Sequence, residues 1–354
     1  MEHLWKQNLR QIEPYVPGEQ SSDPDRIKLN ANENPYPPAP GVEAVLRSYD
    51  PAALCLYPDA NARLLKASIA RHYGVAPEQV FVGNGSDDVL ALAFQSFFNS
   101  DKPIAFPDIT YSFYPVWCRL FHIPFVTHPL TADFRIDPAD YATPNGGVVL
   151  PNPNAPTSIG EDLPFVQALL EGNRDAVVII DEAYEDFGGV SAVPLLADYP
   201  NLLVCGTFSK SRSLAGLRLG FAIGSAELIG VLEAVKNSYN SYTVDNLSLL
   251  CGAAAMDDEA YFAKTTAAVI TTRERVRRAL EQMGFSVLPS RTNFLFATKD
   301  GASMRDLFLY LKQRHIYIRY FDLPRIDNYV RITIGTDAQM DAFLQGTEAF
   351  LRGE

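Results

Sequence analysis

The chain has 354 residues, 47% of them apolar and 20% charged, and a formal net charge of −12. That length accommodates a large core and two domains, and the composition is that of an ordinary globular protein. The acidic balance argues against nucleic acid or an anionic membrane surface as a partner, so any anion must be held by local devices. The four cysteines, Cys55, Cys118, Cys205 and Cys251, lie far apart and lack metal-ligand spacing. Free thiols in a reducing compartment are expected. The segment from Met1 to Gln7 has no signal-peptide core, and no run approaches the ~20 apolar residues of a spanning helix. The sequence therefore reads as cytoplasmic.

Residues 1–40 are rich in Pro, Asn and Glu and read as an extended arm, because their prolines forbid long helices. Helices are expected at Val42–Ser48 and Ala62–Tyr73. A regular alternation comes next, with apolar strands at Val80–Val82, Ile104–Phe106, Phe125–Thr127, Val148–Leu150, Val177–Ile180, Leu202–Cys205 and Leu219–Ile223. Helical patterns such as Asp88–Phe98 and Leu163–Leu170 lie between them. This predicts an α/β fold, a mainly parallel sheet sandwiched by helices, over 41–245. Beyond it, a long helical region (roughly 244–283, broken near Asp257-Asp258) is expected. Shorter elements come after it at Phe285–Leu288, Asn293–Ala297, Ser303–Arg314, Ile316–Arg319 and Val330–Ile334, and a last helix is capped by Asp337. Residues 246–354 are thus read as a linking helix and a smaller α+β domain.

The chemistry sits in the residues just past the strand ends. Val80–Val82 runs into Gly83-Asn84-Gly85-Ser86-Asp87, Ile104–Phe106 into Pro107-Asp108-Ile109-Thr110-Tyr111, and Val148–Leu150 into Asn152-Pro153-Asn154. Val177–Ile180 meets Asp181-Glu182-Ala183-Tyr184, and Leu202–Cys205 meets Ser209-Lys210. Ligands of open α/β sheets bind beyond the carboxyl ends of the strands, so these clusters should converge on one crevice. Lys210 at a strand mouth suits an imine with an aldehyde, and Arg218 eight positions on suits a phosphate. Pyridoxal phosphate has both groups. The glycines before Ser86 and Asp87 let a phosphate reach the free amides of a helix N-terminus. Asp181, ending an apolar strand, needs a cationic partner, which a pyridinium nitrogen would supply.

With these residues in place, the chain resembles the fold type I pyridoxal-phosphate aminotransferases and, within them, the histidinol-phosphate aminotransferase group. The shared segments are Leu29-Asn30-Ala31-Asn32-Glu33-Asn34-Pro35, Tyr57-Pro58-Asp59, Gly83 to Asp87, Asp181 to Tyr184, Ser209 to Arg218, and Val330-Arg331-Ile332-Thr333-Ile334-Gly335-Thr336. The resemblance covers nearly the whole chain. It implies that Lys210 carries the cofactor and moves the substrate proton, that Asp181 pairs with the ring nitrogen, and that Tyr184 meets the ring hydroxyl. By the same resemblance Tyr111 stacks on the ring, while Ser86, Asp87, Ser209 and Arg218 hold the phosphate. Tyr57 would reach the phosphate of the other subunit, which implies a homodimer with shared sites. Arg331 would clamp the substrate carboxylate; Tyr15, Glu33, Tyr239, Asn240 and Arg319 would face the rest of the substrate. The implied reaction aminates imidazole acetol phosphate to histidinol phosphate, with glutamate as donor.

Two departures stand out. The family usually reads Asn-Pro-Asn-Asn-Pro-Thr-Gly, whereas here Ala155 occupies the place of the asparagine that bonds the ring hydroxyl. Asn154 or Asn152 could substitute, or Tyr184 could act alone; one hydrogen bond to a partly charged oxygen is worth roughly 1.5–3 kcal/mol. Ser238 stands where proline often precedes Tyr-Asn. Other readings of the same residues are an aromatic or broad-range aminotransferase, a phosphothreonine-type decarboxylase, a non-catalytic regulatory dimer, and a nicotinamide enzyme. The last lacks the full Gly-x-Gly-x-x-Gly, since Gly83-Asn84-Gly85 stands alone.

Overall fold

A computed structural model describes residues 3–15, 18–19 and 22–354. In chain order the elements are β1 (Ile27–Lys28), α1 (Pro40–Ser48), α2 (Arg63–Tyr73), β2 (Val80–Gly83), α3 (Ser86–Phe97), β3 (Ile104–Pro107), α4 (Tyr114–Phe121), β4 (Phe125–His128), β5 (Gly147–Pro151) and α5 (Leu163–Glu171). They continue with β6 (Val178–Asp181), β7 (Leu202–Thr207), β8 (Gly220–Gly224), α6 (Ala226–Tyr239), α7 (Asn246–Asp257) and α8 (Glu259–Gln282). The last are β9 (Ser286–Val287), β10 (Phe294–Thr298), α9 (Met304–Gln313), β11 (Ile316–Tyr317), β12 (Arg319–Tyr320), β13 (Val330–Thr333) and α10 (Asp337–Arg352).

Seven strands form one sheet in the order β2-β8-β7-β6-β5-β3-β4, in which only β8 runs antiparallel to its neighbours. Its inner strands are continuous apolar runs because both faces are covered. Alternate residues of each strand feed opposite cores. Val178 and Ile180 join α1, α2, α5 and α7 in one, while Ile179 joins α3, α4 and α6 in the other. The edge strand β4 is half-exposed, as its Thr127 and His128 suggest.

The second lobe is an antiparallel sheet in the order β12-β13-β10-β9. Val269, Leu280, Leu307, Leu311, Met340 and Phe343 of α8, α9 and α10 pack on Leu295, Val330 and Ile332. The other face of β10 presents Phe296 to Ile109, Leu130 and Ile159 beyond the large sheet, which holds the lobes together.

Several boundaries depart from the sequence reading. Ile316–Arg319 is not one strand: β11 pairs in parallel with β1, and β12 pairs with β13. The N-terminal segment therefore enters the fold through backbone pairing. Asp337 does not cap α10. Thr336 does, its Oγ1 accepting from Gln339 N at 3.4 Å while Gln339 Oε1 accepts from Thr336 N at 2.9 Å. The capping box is a reciprocal pair, which the acidic residue next door had masked. Helices α4 and α6 carried no expectation, since α4 reads as an aromatic cluster. Arg273 and Arg277, an i,i+4 stripe in the sequence, divide their work. Both pair with Glu274, but buried Arg273 also donates to the carbonyls of Phe187 and Thr292, whereas Arg277 also pairs with Glu281. The break near Asp257-Asp258 is present, and Asp258 Oδ1 caps α8 by accepting from Tyr261 N. Cys118, Cys205 and Cys251 are buried free thiols; Cys55 is exposed.

Candidate active site

Two adjoining cavities open beyond the carboxyl ends of the large sheet. One, of about 320 Å³, is lined by Ser86, Asp87, Asp181, Thr207, Ser209, Arg218 and others. The second, of about 330 Å³, is lined by Tyr15, Lys28, Asn30, Asn32, Arg319, Phe321 and Arg331 among others. Ala31, Glu33, Tyr111, Ala155, Tyr184 and Lys210 belong to both and form the boundary.

The first cavity is framed by strand ends and a helix start. β2 ends at Gly83 and the chain turns through Gly85, at φ 84°, into α3. The first amides of α3 have no intrahelical partner, and Gly85 offers no side-chain cap, so they remain available at the cavity wall. A Cβ at 85 would lie 2.6 Å from Arg218 Nη2, so any side chain there would displace the Arg218 guanidinium. Arg218 is itself held in the left-handed region, at φ 52°, a strained conformation for a bulky residue. It approaches Asp87 Oδ2 at 3.2 Å, and the hydroxyl of Tyr111 donates to Asp87 Oδ1 at 2.7 Å.

Asp181 closes the floor. Its Oδ2 accepts from the Tyr114 hydroxyl at 2.8 Å and its Oδ1 from Ala183 N at 3.2 Å. Burial outweighs both bonds and pushes the carboxyl up to about 6. A carboxylate in this position calls for a cation. Tyr114 is fully buried among Phe94, Phe106, Tyr111 and Trp117, so its hydroxyl is rigidly aimed. Lys210, just beyond β7, donates from Nζ to the Ala31 carbonyl at 3.2 Å and lies 5.7 Å from the Tyr184 ring centroid.

The second cavity is built by side chains from separated segments. Arg331 on β13 stands directly opposite Arg319 on β12. Like charges in such a pair repel unless an anion lies between them. Burial lowers the pKa of Arg331, with Tyr184 opposing and Arg319 reinforcing the shift. Its Nη2 donates to the Asn30 carbonyl at 3.0 Å, while its buried Nε has no hydrogen-bond partner among the described residues. Tyr15 stacks on Phe113 with centroids 4.1 Å apart, and Glu33 pairs with Lys28 at 2.6 Å.

The structure thus gathers Ser86, Asp87, Tyr111, Asp181, Tyr184, Ser209, Lys210, Arg218, Tyr15, Glu33, Arg319 and Arg331 around the paired cavities. Asn154 is not among them. Its Nδ2 donates to the Ile109 carbonyl at 3.0 Å and to Thr157 Oγ1 at 2.9 Å, facing away from the cleft. Asn152 is spent on both backbone groups of Glu161. Ala155 faces the cavities in their place. Tyr57 (82% exposed) stacks on Tyr242, outside both cavities of the single chain. Asn240 is also outside them, exposed at the end of α6 beside exposed Tyr239. Among the site residues without an individual sequence signal are Tyr114, hidden in an aromatic run, and Asn32, which donates from Nδ2 to Tyr184 Oη at 2.9 Å.

The sequence model of the family described as aminotransferase class I and II matches residues 24–346. A histidinol-phosphate aminotransferase of Chromohalobacter salexigens is 52% identical over 352 residues, 99% of this chain and 100% of that protein. Histidinol-phosphate aminotransferase 1 of Methylococcus capsulatus is 51% identical, covering 100% of this chain and 99% of that one. Among solved structures, the histidinol-phosphate aminotransferase of Sinorhizobium meliloti in complex with pyridoxal-5′-phosphate superposes with a TM-score of 0.82. It is 26% identical, over 92% of this chain and 90% of that one.

Proposed function

This chain belongs to the class I and II aminotransferase family, and from that premise we propose that it is a pyridoxal 5′-phosphate-dependent transaminase of histidine biosynthesis. It interconverts histidinol phosphate and imidazole acetol phosphate, with glutamate and 2-oxoglutarate as the other pair. The observation that carries the reading is the placement of Lys210 between a cavity holding Asp181 and Arg218 and a cavity holding Arg319 and Arg331.

The first cavity fits the cofactor. A buried, ionisable Asp181 suits a protonated ring nitrogen, and the start of α3 with Ser209 and Arg218 suits a phosphate. When bound, the cofactor's ring supplies an electron sink for the pair left on the substrate carbon. Lys210 Nζ would take the proton from that carbon and return it. With the cofactor bound, Tyr184 would donate its hydroxyl proton toward the ring oxygen, Asp181 would keep the ring nitrogen protonated, and Tyr111 would cover the ring face. Arg331 receives the carboxylate of the amino donor through its fork, and Arg319 adds the second positive charge that a phosphorylated substrate needs. Tyr15 and Glu33 bound the far end of the substrate.

A second copy of the chain completes the site in this proposal. Tyr57 lies near Leu54 and Leu56, 69% and 71% exposed, an apolar surface suited to burial against another protomer. Mixing separately inactive Lys210→Ala and Tyr57→Ala chains should then restore activity, because one site of the hybrid regains both residues. Activity no greater than the sum of the parts would count against shared sites. The reduced thiols Cys118, Cys205 and Cys251 suit a cytoplasmic location.

The test of the reaction is the absorption spectrum of the pyridoxal phosphate-loaded protein. Glutamate should bleach the visible band and imidazole acetol phosphate should restore it. Faster restoration by phenylpyruvate would replace this reading with that of an aromatic aminotransferase.

A further inference from the structure

Asn32 lies between β1 and α1, 1% exposed and in the left-handed region at φ 55°. Its hydrogen bonds have a direction. The Asn32 backbone N–H donates to Thr333 Oγ1 at 3.0 Å, and the buried Thr333 hydroxyl donates to Asn32 Oδ1, also at 3.0 Å, its one acceptor among the described residues; a flipped amide would leave that hydroxyl proton unpaired. Oδ1 is therefore the accepting end of the amide, and Nδ2 must face Tyr184 Oη at 2.9 Å. An amide nitrogen accepts nothing. The proton of Tyr184 cannot point back at Asn32 and is left to point into the cavity beside Lys210, where Ala155 offers no polar group.

We propose that Asn32 is a positioning residue that fixes the Tyr184 hydroxyl as a hydrogen-bond donor into the cofactor cavity. The inference rests on the cofactor reading above. It gives the N-terminal segment a role in the chemistry beyond shape. Asn293 Nδ2 anchors the Asn32 carbonyl at 3.0 Å, and Thr333 lies two positions from Arg331 on β13. The orientation of the phenol proton is thus set by the strand that carries the anion-binding arginine.

The test replaces Asn32 by Asp, which keeps the shape but turns a donor into an acceptor for the phenol proton. A bond donated by Tyr184 draws charge from the cofactor's ring oxygen; without it, the neighbouring nitrogen holds its proton more tightly. In the loaded Asn32→Asp protein the visible band should titrate about one pH unit higher, a tenfold change in proton affinity. Pyridoxal phosphate should also dissociate more readily on dialysis. Asn32→Gly adds no charge and suits the positive φ, so it covers the case in which the Asp variant does not fold. Its band should shift in the same direction, and the shift should vanish in a Tyr184→Phe background. An unshifted Asn32→Asp band, or an Asn32→Gly shift that persists undiminished without the Tyr184 hydroxyl, overturns the inference. If the unsubstituted chain takes up no pyridoxal phosphate, the function proposed above falls and takes this inference with it. A normal wild-type titration with unshifted variants removes the Asn32 role alone.

Discussion

The two halves of the cleft are made in different ways. The cavity beside Asp181 is framed by strand ends, a helix start and the glycine turn at Gly85, so backbone sets where its side chains stand. The cavity beside Arg331 is made by long side chains that meet from the N-terminal segment, β12 and β13. Backbone-built sites hold a permanent occupant rigidly, whereas side-chain-built sites can exchange one anionic substrate for another. That division suits a transaminase, whose cofactor stays while its substrates alternate. Lys210 lies on the boundary, and losing it should have the largest effect. Lys210→Ala should abolish the visible band and turnover while leaving the melting temperature near that of the cofactor-free parent. Transamination near the normal rate would break the division at its centre.

The next effect belongs to the backbone-built half. Burial raises the Asp181 carboxyl to about 6, above its value near 4 in the unfolded chain. Because the folded value is the higher one, this group favours the cofactor-free fold below about 4, and that contribution is lost as pH rises through about 6, a span worth ~2–3 kcal/mol. A cationic ring nitrogen offsets the loss. The thermal stabilisation on adding pyridoxal phosphate should therefore grow from about pH 5 to about pH 7.5. Asp181→Asn should flatten that trend. A gain that is independent of pH in the unsubstituted protein would mean that Asp181 meets no cation.

The side-chain-built half should respond in KM. Arg331→Lys removes the planar fork and leaves a point charge beside Arg319, so KM for glutamate should rise roughly tenfold to thirtyfold, ~1.5–2 kcal/mol. The cofactor band should not move. If KM holds and the band shifts instead, the two cavities are less separate than their construction suggests.

The same contrast explains what the sequence disclosed. Strand-end motifs are local, so Ser86, Asp181, Ser209, Lys210 and Arg218 could be placed at one crevice from order alone. Tyr114 could not, since its contact with Asp181 spans 67 positions and its own segment reads as core. Asn32 meets Tyr184 across 152 positions and Thr333 across 301, and no spacing rule reaches so far. Ala155 was legible as a departure. What the structure adds is that neither neighbouring asparagine turns into the cleft to replace the missing amide.

The smallest effect tests a region outside both cavities. Thr336 and Gln339 close a reciprocal cap on α10, where local sequence favoured Asp337 because aspartate is a preferred N-cap residue. Thr336→Ala removes the side-chain acceptor for Gln339 N and should cost about 1 kcal/mol in urea unfolding. Asp337 also pairs with Arg275 at 2.9 Å and accepts from the buried Thr272 hydroxyl at 3.1 Å; in a Thr272→Val background, Asp337→Ala therefore loses an exposed ion pair worth ~0–1 kcal/mol rather than the cap. With both kinetic constants unchanged, a larger loss for Thr336→Ala than for Asp337→Ala in that background would assign the helix start to the reciprocal bond. The reverse ranking would return it to the carboxylate.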